Sequence, residues 1–338
     1  MSYKVLHISH HIGCFRDQEY TLNKLGYEVK NLKFYDHQFT VTKDIARKFW
    51  LENKDLINSF DYILVSDTSS ISRCILENME EFRSKLIIWI CNRFDFGMNQ
   101  EKEFYELFNR YKSHEKVKII ASTFWEKIWC LNRGINILDC EVINPLGKYL
   151  EKLDSNIPQS KVFEEWYNKN SNHAEADIFV SFYHNDNVFF NLKSFLESKG
   201  LKVSNTTFKN VNELTKYTAF VTQPDTFCKW FSFEAIHIGL PVILPSINLL
   251  LKLCKSQGYL YNMTGYGGAE NLTEDLAKIG EWYNLKFKNL RFYFDSYNEI
   301  PDIIKSINKY KLKDEFLFRS MEHEMETLEK WRSIYEKF

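Results

Sequence analysis

Two adjacent histidines, His10 and His11, follow directly on the apolar run YKVLHIS (3–9). The histidine ring titrates near neutrality, so a pair at a strand end is a candidate general base for drawing a proton from a hydroxyl. A neighbouring carboxylate would orient the ring. Asp95, in CNRFDF (91–96) at the end of another apolar run, is the candidate for that task or for the base itself. The plainer reading of both histidines is a polar loop; it weighs more at His10, which leaves His11 as the chosen base. Gly13 in the same loop permits close backbone approach. His7 alternates into the strand and reads as a core residue. Asp67, in VSDTSS (65–70), reads as the cap of the helix that follows.

A second constellation lies in KWFSFEAIHIGLPVILPS (229–246). The strand YTAFVTQ (217–223) stops at Pro224, and Asp225 or Thr226 is placed to cap the next helix. The open amides of such a helix suit a diphosphate. Lys229 adds a charge and Ser232 a hydroxyl in its first turns. Glu234 interrupts a face of Trp, Phe and Ile; a carboxylate there can accept two hydrogen bonds from vicinal hydroxyls of a ribose or a sugar. Each residue also has a plain reading: a solvated lysine, a serine bonded to its own backbone, a glutamate reaching water. Gly239 ends the helix, and Pro241 starts a buried strand.

These residues must be positioned by elements, and the chain supplies a regular alternation of them. Strands are expected at 3–9, 27–34, 61–67, 85–94, 117–123 and 137–143, with helices at about 16–25, 70–83, 100–112 and 124–131. The polar, proline-bearing stretch after residue 144 breaks the pattern. It restarts with DIFVSFY (177–183), a helix at about 188–199, LKVSN (201–205), the strand at 217–223 and PVILPS (241–246), and it closes with a helical tail from about 302. Alternation of this kind gives parallel sheets in open α/β domains. We expect an N-terminal domain over 1–150, a linker over 151–176 and a C-terminal domain with a helical tail over 177–338. Ligands of such sheets bind outside the carboxyl ends of the strands. That places 9–15, 66–70, 92–99, 181–187, 204–210, 223–230 and 246–248 around a site.

Composition narrows the classes. The chain has 338 residues, 44% hydrophobic, with a formal net charge of −1. No global field recruits nucleic acid or an anionic membrane, and peripheral membrane contact through a local patch stays open. Seven cysteines occur singly, without a C-x-x-C pair, so a zinc knuckle or dithiol motif is not indicated. Reduced thiols, no signal-peptide pattern and no run long enough to span a bilayer lead to the expectation of a soluble cytoplasmic protein. The glycine-rich TGYGGAEN (264–271) does not follow a strand, as a dinucleotide fingerprint must; a loop that closes over a site is the expectation there.

The stretch Glu234-Ala235-Ile236-His237-Ile238-Gly239-Leu240-Pro241-Val242-Ile243 resembles the donor-binding segment E-A-x-x-x-G-x-P-V-I of GT-B glycosyltransferases. The resemblance is specific over about 212–246 and architectural elsewhere. It implies two Rossmann-like domains facing each other across a cleft, with the nucleotide sugar on the C-terminal one. Donor-side residues would then be Glu234, Ser232, Lys229 and Thr226, with His184 and Asn185 of SFYHNDN (181–187) near the diphosphate. NTTFKN (205–210) would lie near the nucleobase. His11 and Asp95 would serve catalysis, and His10 and Gly13 the acceptor-side loop. The implied activity is transfer of a hexosyl or pentosyl group to a glycan or other glycoconjugate acceptor. Thr226 stands where E-x7-E retaining members carry a carboxylate, which turns the expectation towards inversion. No D-x-D triplet holds a divalent ion, so neither metal nor cofactor is expected. A non-catalytic nucleotide-sugar binder and a sugar-nucleotide epimerase remain alternatives.

Overall fold

In the computed structural model, the described residues are 3–34, 40–95, 97–98, 101–148, 177–180, 191–206, 211–224, 230–257 and 273–338. They divide into two compact units, Met1–Tyr149 with Glu326–Phe338, and Leu150–Met325. The expected linker, 151–176, lies outside the described residues.

Unit 1 runs β1 (Lys4–Ser9), α1 (Ile12–Lys24), β2 (Glu28–Lys33), α2 (Lys43–Ile57), β3 (Tyr62–Val65), α3 (Arg73–Leu76), β4 (Lys85–Ile90), α4 (Lys102–Tyr111), β5 (Val117–Ala121), α5 (Phe124–Asn132) and β6 (Glu141–Val142). Its six strands are parallel in the order β2-β1-β3-β4-β5-β6. The continuous apolar runs YILV and LIIWI become strands buried on both faces, as a sheet covered on each side requires.

Four elements depart from the sequence expectation, the first being the helix expected at about 70–83, which is reduced to the 3-10 turn Ser69–Ser72 and the four residues of α3. Helix α1 starts at Ile12, four residues early, because His11 caps it. Helix α2 was not expected, although Thr42 caps it and Ala46, Phe49, Trp50 and Ile57 give it a buried stripe. The long strand expected at 137–143 shrinks to Glu141–Val142. The ammonium of Lys127 takes the carbonyls of Leu138 and Cys140, and Asn136 Oδ1 takes the Leu138 N–H, so that backbone is spent before it can join a ladder.

Unit 2 runs β7 (Asp177–Val180), α6 (Leu192–Ser198), β8 (Lys202–Ser204), β9 (Ala219–Val221), α7 (Phe231–His237), β10 (Val242–Pro245), α8 (Ile247–Gln257), α9 (Glu274–Lys278), β11 (Arg291–Phe294), α10 (Ile300–Ser306) and α11 (Lys309–Lys337). The strand order is β11-β10-β9-β7-β8, all parallel. Ile178, Val180, Leu196, Val221, Ile243 and Phe294 belong to one buried cluster that joins the sheet to its helices. Counted from its own first strand, this sheet has the same 2-1-3-4-5 order that opens the sheet of unit 1. Helix α11 begins in unit 2, and its last turns, from Glu326, belong to unit 1.

The abrupt turn at Gly239 has a specific cause. Gly239 has φ of +65°, a left-handed conformation that costs a side-chain-bearing residue more. Its N–H bonds Ile236 O at 3.2 Å, and the Leu240 N–H bonds Ala235 O at 2.9 Å. These two bonds close the end of α7 in a Schellman motif. Pro241 follows, its carbonyl accepting from Phe220 N–H at 2.9 Å, and the chain enters β10 already registered against β9.

Candidate functional site

In a 2-1-3-4-5 sheet the order of winding reverses between the first and third strands, so their following connections leave towards opposite edges. The carboxyl ends of those strands open a crevice that no connection crosses. Here the two switch points are β1/β3 in unit 1 and β7/β9 in unit 2.

At β1/β3 the register sets the neighbours. Ile8 stands opposite both Leu32 and Val65, and Val65 opposite Ile88. The residues just past these strands are therefore brought level. They are His10 and His11 after β1, Ser66 and Asp67 after β3, and Cys91 and Asn92 after β4. His7 Nε2 lies 2.7 Å from Ser66 Oγ, and burial draws the ring of His7 down to about 3, so it stays neutral. This matches its reading as a core residue.

The two histidines take opposite tautomers when neutral. His10 Nδ1 lies 2.9 Å from the carbonyl of Phe34, which can only accept, so Nδ1 carries the proton. His11 Nδ1 accepts from the Gly13 N–H at 3.1 Å, so its lone pair is spent on the cap of α1. Gly13 stands in the first turn of that helix as the donor of this bond, not in an open loop. The lone pair that would make His11 a base at Nδ1 is thus occupied.

The carboxylate that acts on His11 is Asp67. Burial raises its carboxyl to about 7, with the charge of Cys14 adding to the rise, and His11 and a hydrogen bond with Asn92 opposing it. Burial alone would also raise the Cys14 thiol; hydrogen bonds with Cys91, His11 and Ser66 and the charge of His11 bring it below its ordinary value. Asp67 does not cap a helix, contrary to the sequence reading. Thr68 occupies the cap position of the 3-10 turn Ser69–Ser72, without a capping side-chain bond. Asp67 itself has φ of +77°, the one non-glycine with positive φ among the described residues.

Asp95 is placed elsewhere. Arg133 Nε bonds its Oδ2 at 2.9 Å, the Arg133 terminal nitrogen bonds the same oxygen, and Arg93 Nε lies 2.7 Å from Oδ1. None of the bonds of Asp95 goes to His11. The expected pairing of Asp95 with His11 is replaced by a carboxylate gripped between two guanidinium groups.

At β7/β9 the described residues are those that leave β9. Gln223, two residues past the strand, is 3% exposed, and Ser232 in the first turn of α7 is 1% exposed. Among the described residues, Gln223 Nε2 and Ser232 Oγ are buried without a hydrogen-bond partner. A buried donor left unmade costs about 1–3 kcal/mol, so such groups call for a reason. Glu234 is half-buried and shares a face of α7 with Phe231 and His237, while Phe233 and Ile236 enter a core cluster with Phe287, Leu290 and Phe316. His237 Nδ1 lies 2.6 Å from Ser320 Oγ. Trp230, just before α7, is itself helical, with φ −50° and ψ −40°. The expected cap at Asp225 or Thr226 lies outside the described residues, as do Lys229, His184, Asn185, most of 205–210 and the glycine-rich 264–271. Gln223 escaped the sequence reading; the signal for it is a polar residue closing an apolar strand just ahead of a proline.

Among the described residues, no helix is long and apolar enough to cross a membrane.

These two sheets and the C-terminal helix define a GT-B type of fold. No protein-family model matches the chain, and no curated protein matches it in sequence. Among solved structures it is similar to a glycosyltransferase from Rickettsia africae ESF-5, at 10% identity and a TM-score of 0.55, over 99% of this chain and 98% of that one. A calicheamicin glycosyltransferase, CalG4, aligns over 97% of this chain and 94% of its own at 8% identity and a TM-score of 0.42. A UDP complex of S. aureus MnaA aligns over 86% and 98% at 13% identity and a TM-score of 0.43. The Rickettsia structure carries the likeness in fold; the other two align too loosely to add to it.

Proposed function

We propose that the chain is a glycosyltransferase that takes a sugar from a nucleotide-sugar donor and passes it to an acceptor hydroxyl of a glycan or glycoconjugate. One observation carries the reading. Two polar groups, Gln223 Nε2 and Ser232 Oγ, stand buried and without a partner among the described residues on the segment that leaves β9 at the switch point of unit 2, and Glu234, half-buried, follows two residues after Ser232. A nucleotide sugar presents phosphate oxygens as acceptors and vicinal hydroxyls as donors, which answers that set in kind. The reaction inverts the anomeric carbon and runs without a metal ion, the diphosphate charge being met by protein donors; the sequence has no D-x-D triplet.

The test is incubation with a panel of nucleotide sugars, scoring free nucleotide and the anomeric configuration of the product by proton NMR. Slow release of nucleotide, with water as acceptor, is expected. Isomerisation of the nucleotide sugar without transfer would establish the epimerase reading. Thermal stabilisation without turnover would establish a binding protein.

Two predictions arise here. Glu234→Ala and Ser232→Ala should each weaken nucleotide-sugar binding about ten-fold, which corresponds to about 1.4 kcal/mol for a lost hydrogen-bonding group. Ser232→Ala removes a hydroxyl that has no partner among the described residues, so the unliganded protein should melt no lower than the wild type. Calorimetric titration with the donor, beside a melting curve, checks both; a variant that loses stability and keeps affinity would assign Ser232 to the scaffold. Turnover should also survive excess EDTA, and loss in EDTA restored by magnesium or manganese would overturn metal independence.

A further inference from the structure

Asp67 joins three observations. It is the one described non-glycine residue held at positive φ, +77°. Strain of that kind persists where the surroundings enforce it and gathers at functional positions. It stands at the carboxyl end of β3, at the switch point where open α/β sheets receive ligands. It is 8% exposed, whereas Ser66 and Cys14 beside it are each 1% exposed, so of the three it is the residue that keeps surface in contact with solvent.

The groups around it hold it in place. The Cys91 N–H donates to its carbonyl at 3.2 Å, and Asn92 bonds its side chain. The titratable groups that face it are Cys14 and His11 from α1 and its cap, and Cys91 from the end of β4. Cys14 is negative when ionised and resists ionisation of Asp67, while His11 favours it. Asp17 in the same unit is also shifted upward, to about 8, but it is fully buried, and its oxygens are taken by Gly147 N–H at 2.8 Å and by Gln18. Burial alone therefore does not single out Asp67; its position and its backbone do.

We propose that Asp67 is the general base of the reaction, accepting the proton of the attacking hydroxyl at the β1/β3 switch point. The inference rests on the glycosyl-transfer reading above. As the hydroxyl oxygen forms its bond to the anomeric carbon, its proton passes to an Asp67 oxygen. The bond from that carbon to the diphosphate oxygen breaks, and its electron pair leaves with the nucleoside diphosphate. Asp67 then returns the proton to solvent. His11 is a positioning residue: it caps α1 beside Asp67.

The experiment follows nucleotide release from the donor panel, with water as acceptor, across pH 5–9 in the wild type, Asp67→Asn and His10→Gln. Asparagine keeps the shape of aspartate and tolerates positive φ. The wild-type rate should fall as pH drops through about 7, where Asp67 takes up its proton. Asp67→Asn should be slower by about 10²–10⁴-fold at pH 8 and should lose that acid limb, with KM for the donor nearly unchanged. A wild-type acid limb in Asp67→Asn, or its loss in His10→Gln alone, would overturn the assignment and leave glycosyl transfer standing. An Asp67→Asn protein that melts well below the wild type at pH 8 would show a structural charge and also overturn it. No release by the wild type from any donor would overturn the transfer reading and the base with it.

Discussion

Trp331→Ala should cost unit 1 about 3–5 kcal/mol, the range for truncating a buried aromatic to alanine. Trp331 is fully buried in the last turns of α11, edge-on to Trp89 of β4 with ring centroids 5.5 Å apart, and 6.1 Å from the ring of Tyr335. Tyr335 packs in turn on Tyr62 at 4.9 Å, and Tyr62 Oη donates to the Tyr335 carbonyl at 2.8 Å. The end of the chain thus completes the core under β3 and β4, the strands that deliver Asp67 and Cys91. The prediction is local. Hydrogen exchange should quicken at the amides of β3 and β4 and leave β9 and β10 protected, because those strands belong to the other unit. Equal loss of protection in both units, or none, would contradict the division of the chain in which Glu326–Phe338 folds with unit 1.

That return of the chain was not legible in the sequence. The tail reads as a helix, and its helical nature is local information; which sheet it covers is not. The same division runs through the rest of the molecule. Strands such as Tyr62–Val65, Lys85–Ile90 and Val242–Pro245 were legible because a parallel sheet covered on both faces needs uninterrupted apolar runs. The stop at Gly239 was legible because a left-handed helix end favours glycine. The start of α1 was misjudged because a histidine cap followed by glycine looks like a loop until the ring is seen to bond the Gly13 N–H. Helix α2 was within reach, since the Thr42 cap and the Ala46, Phe49, Trp50 spacing stand in the sequence.

The site divides in the same way. Histidines at a strand end announce themselves, but their tautomers depend on Phe34 O and on a helix cap. Asp67 looked like a cap because aspartate before serines commonly is one. Its company of His11, Cys14, Cys91 and Asn92 comes from two segments far from it and from each other in sequence, joined to it only by the order β1-β3-β4. Strand order is a property of the whole sheet, so no window of sequence around Asp67 contains it. Gln223 was missed for a related reason: that it is buried without a partner is a fact about its neighbours, not about QPD.

Asp95→Ala should destabilise the protein by about 3 kcal/mol, at the low end for removing one partner of a buried ion pair. The low end applies because the Arg133 side chain is 33% exposed and can find water, while Arg93 at 18% is less able to. Removal of the carboxylate leaves two guanidinium groups facing each other with nothing between them. Arg133 also sits over the ring of Tyr105 at 5.8 Å, a contact that depends on the same placement. Asp95→Asn keeps the shape but not the charge and should lose less. Both would unfold at lower urea than the wild type, with the slope of the transition unchanged. At temperatures where the variants stay folded, nucleotide release should keep its wild-type dependence on pH, since the bonds of Asp95 run to arginines and not to the histidine loop. The opposite pattern, a variant as stable as the wild type whose turnover has collapsed, would return Asp95 to the chemistry and remove it from the scaffold.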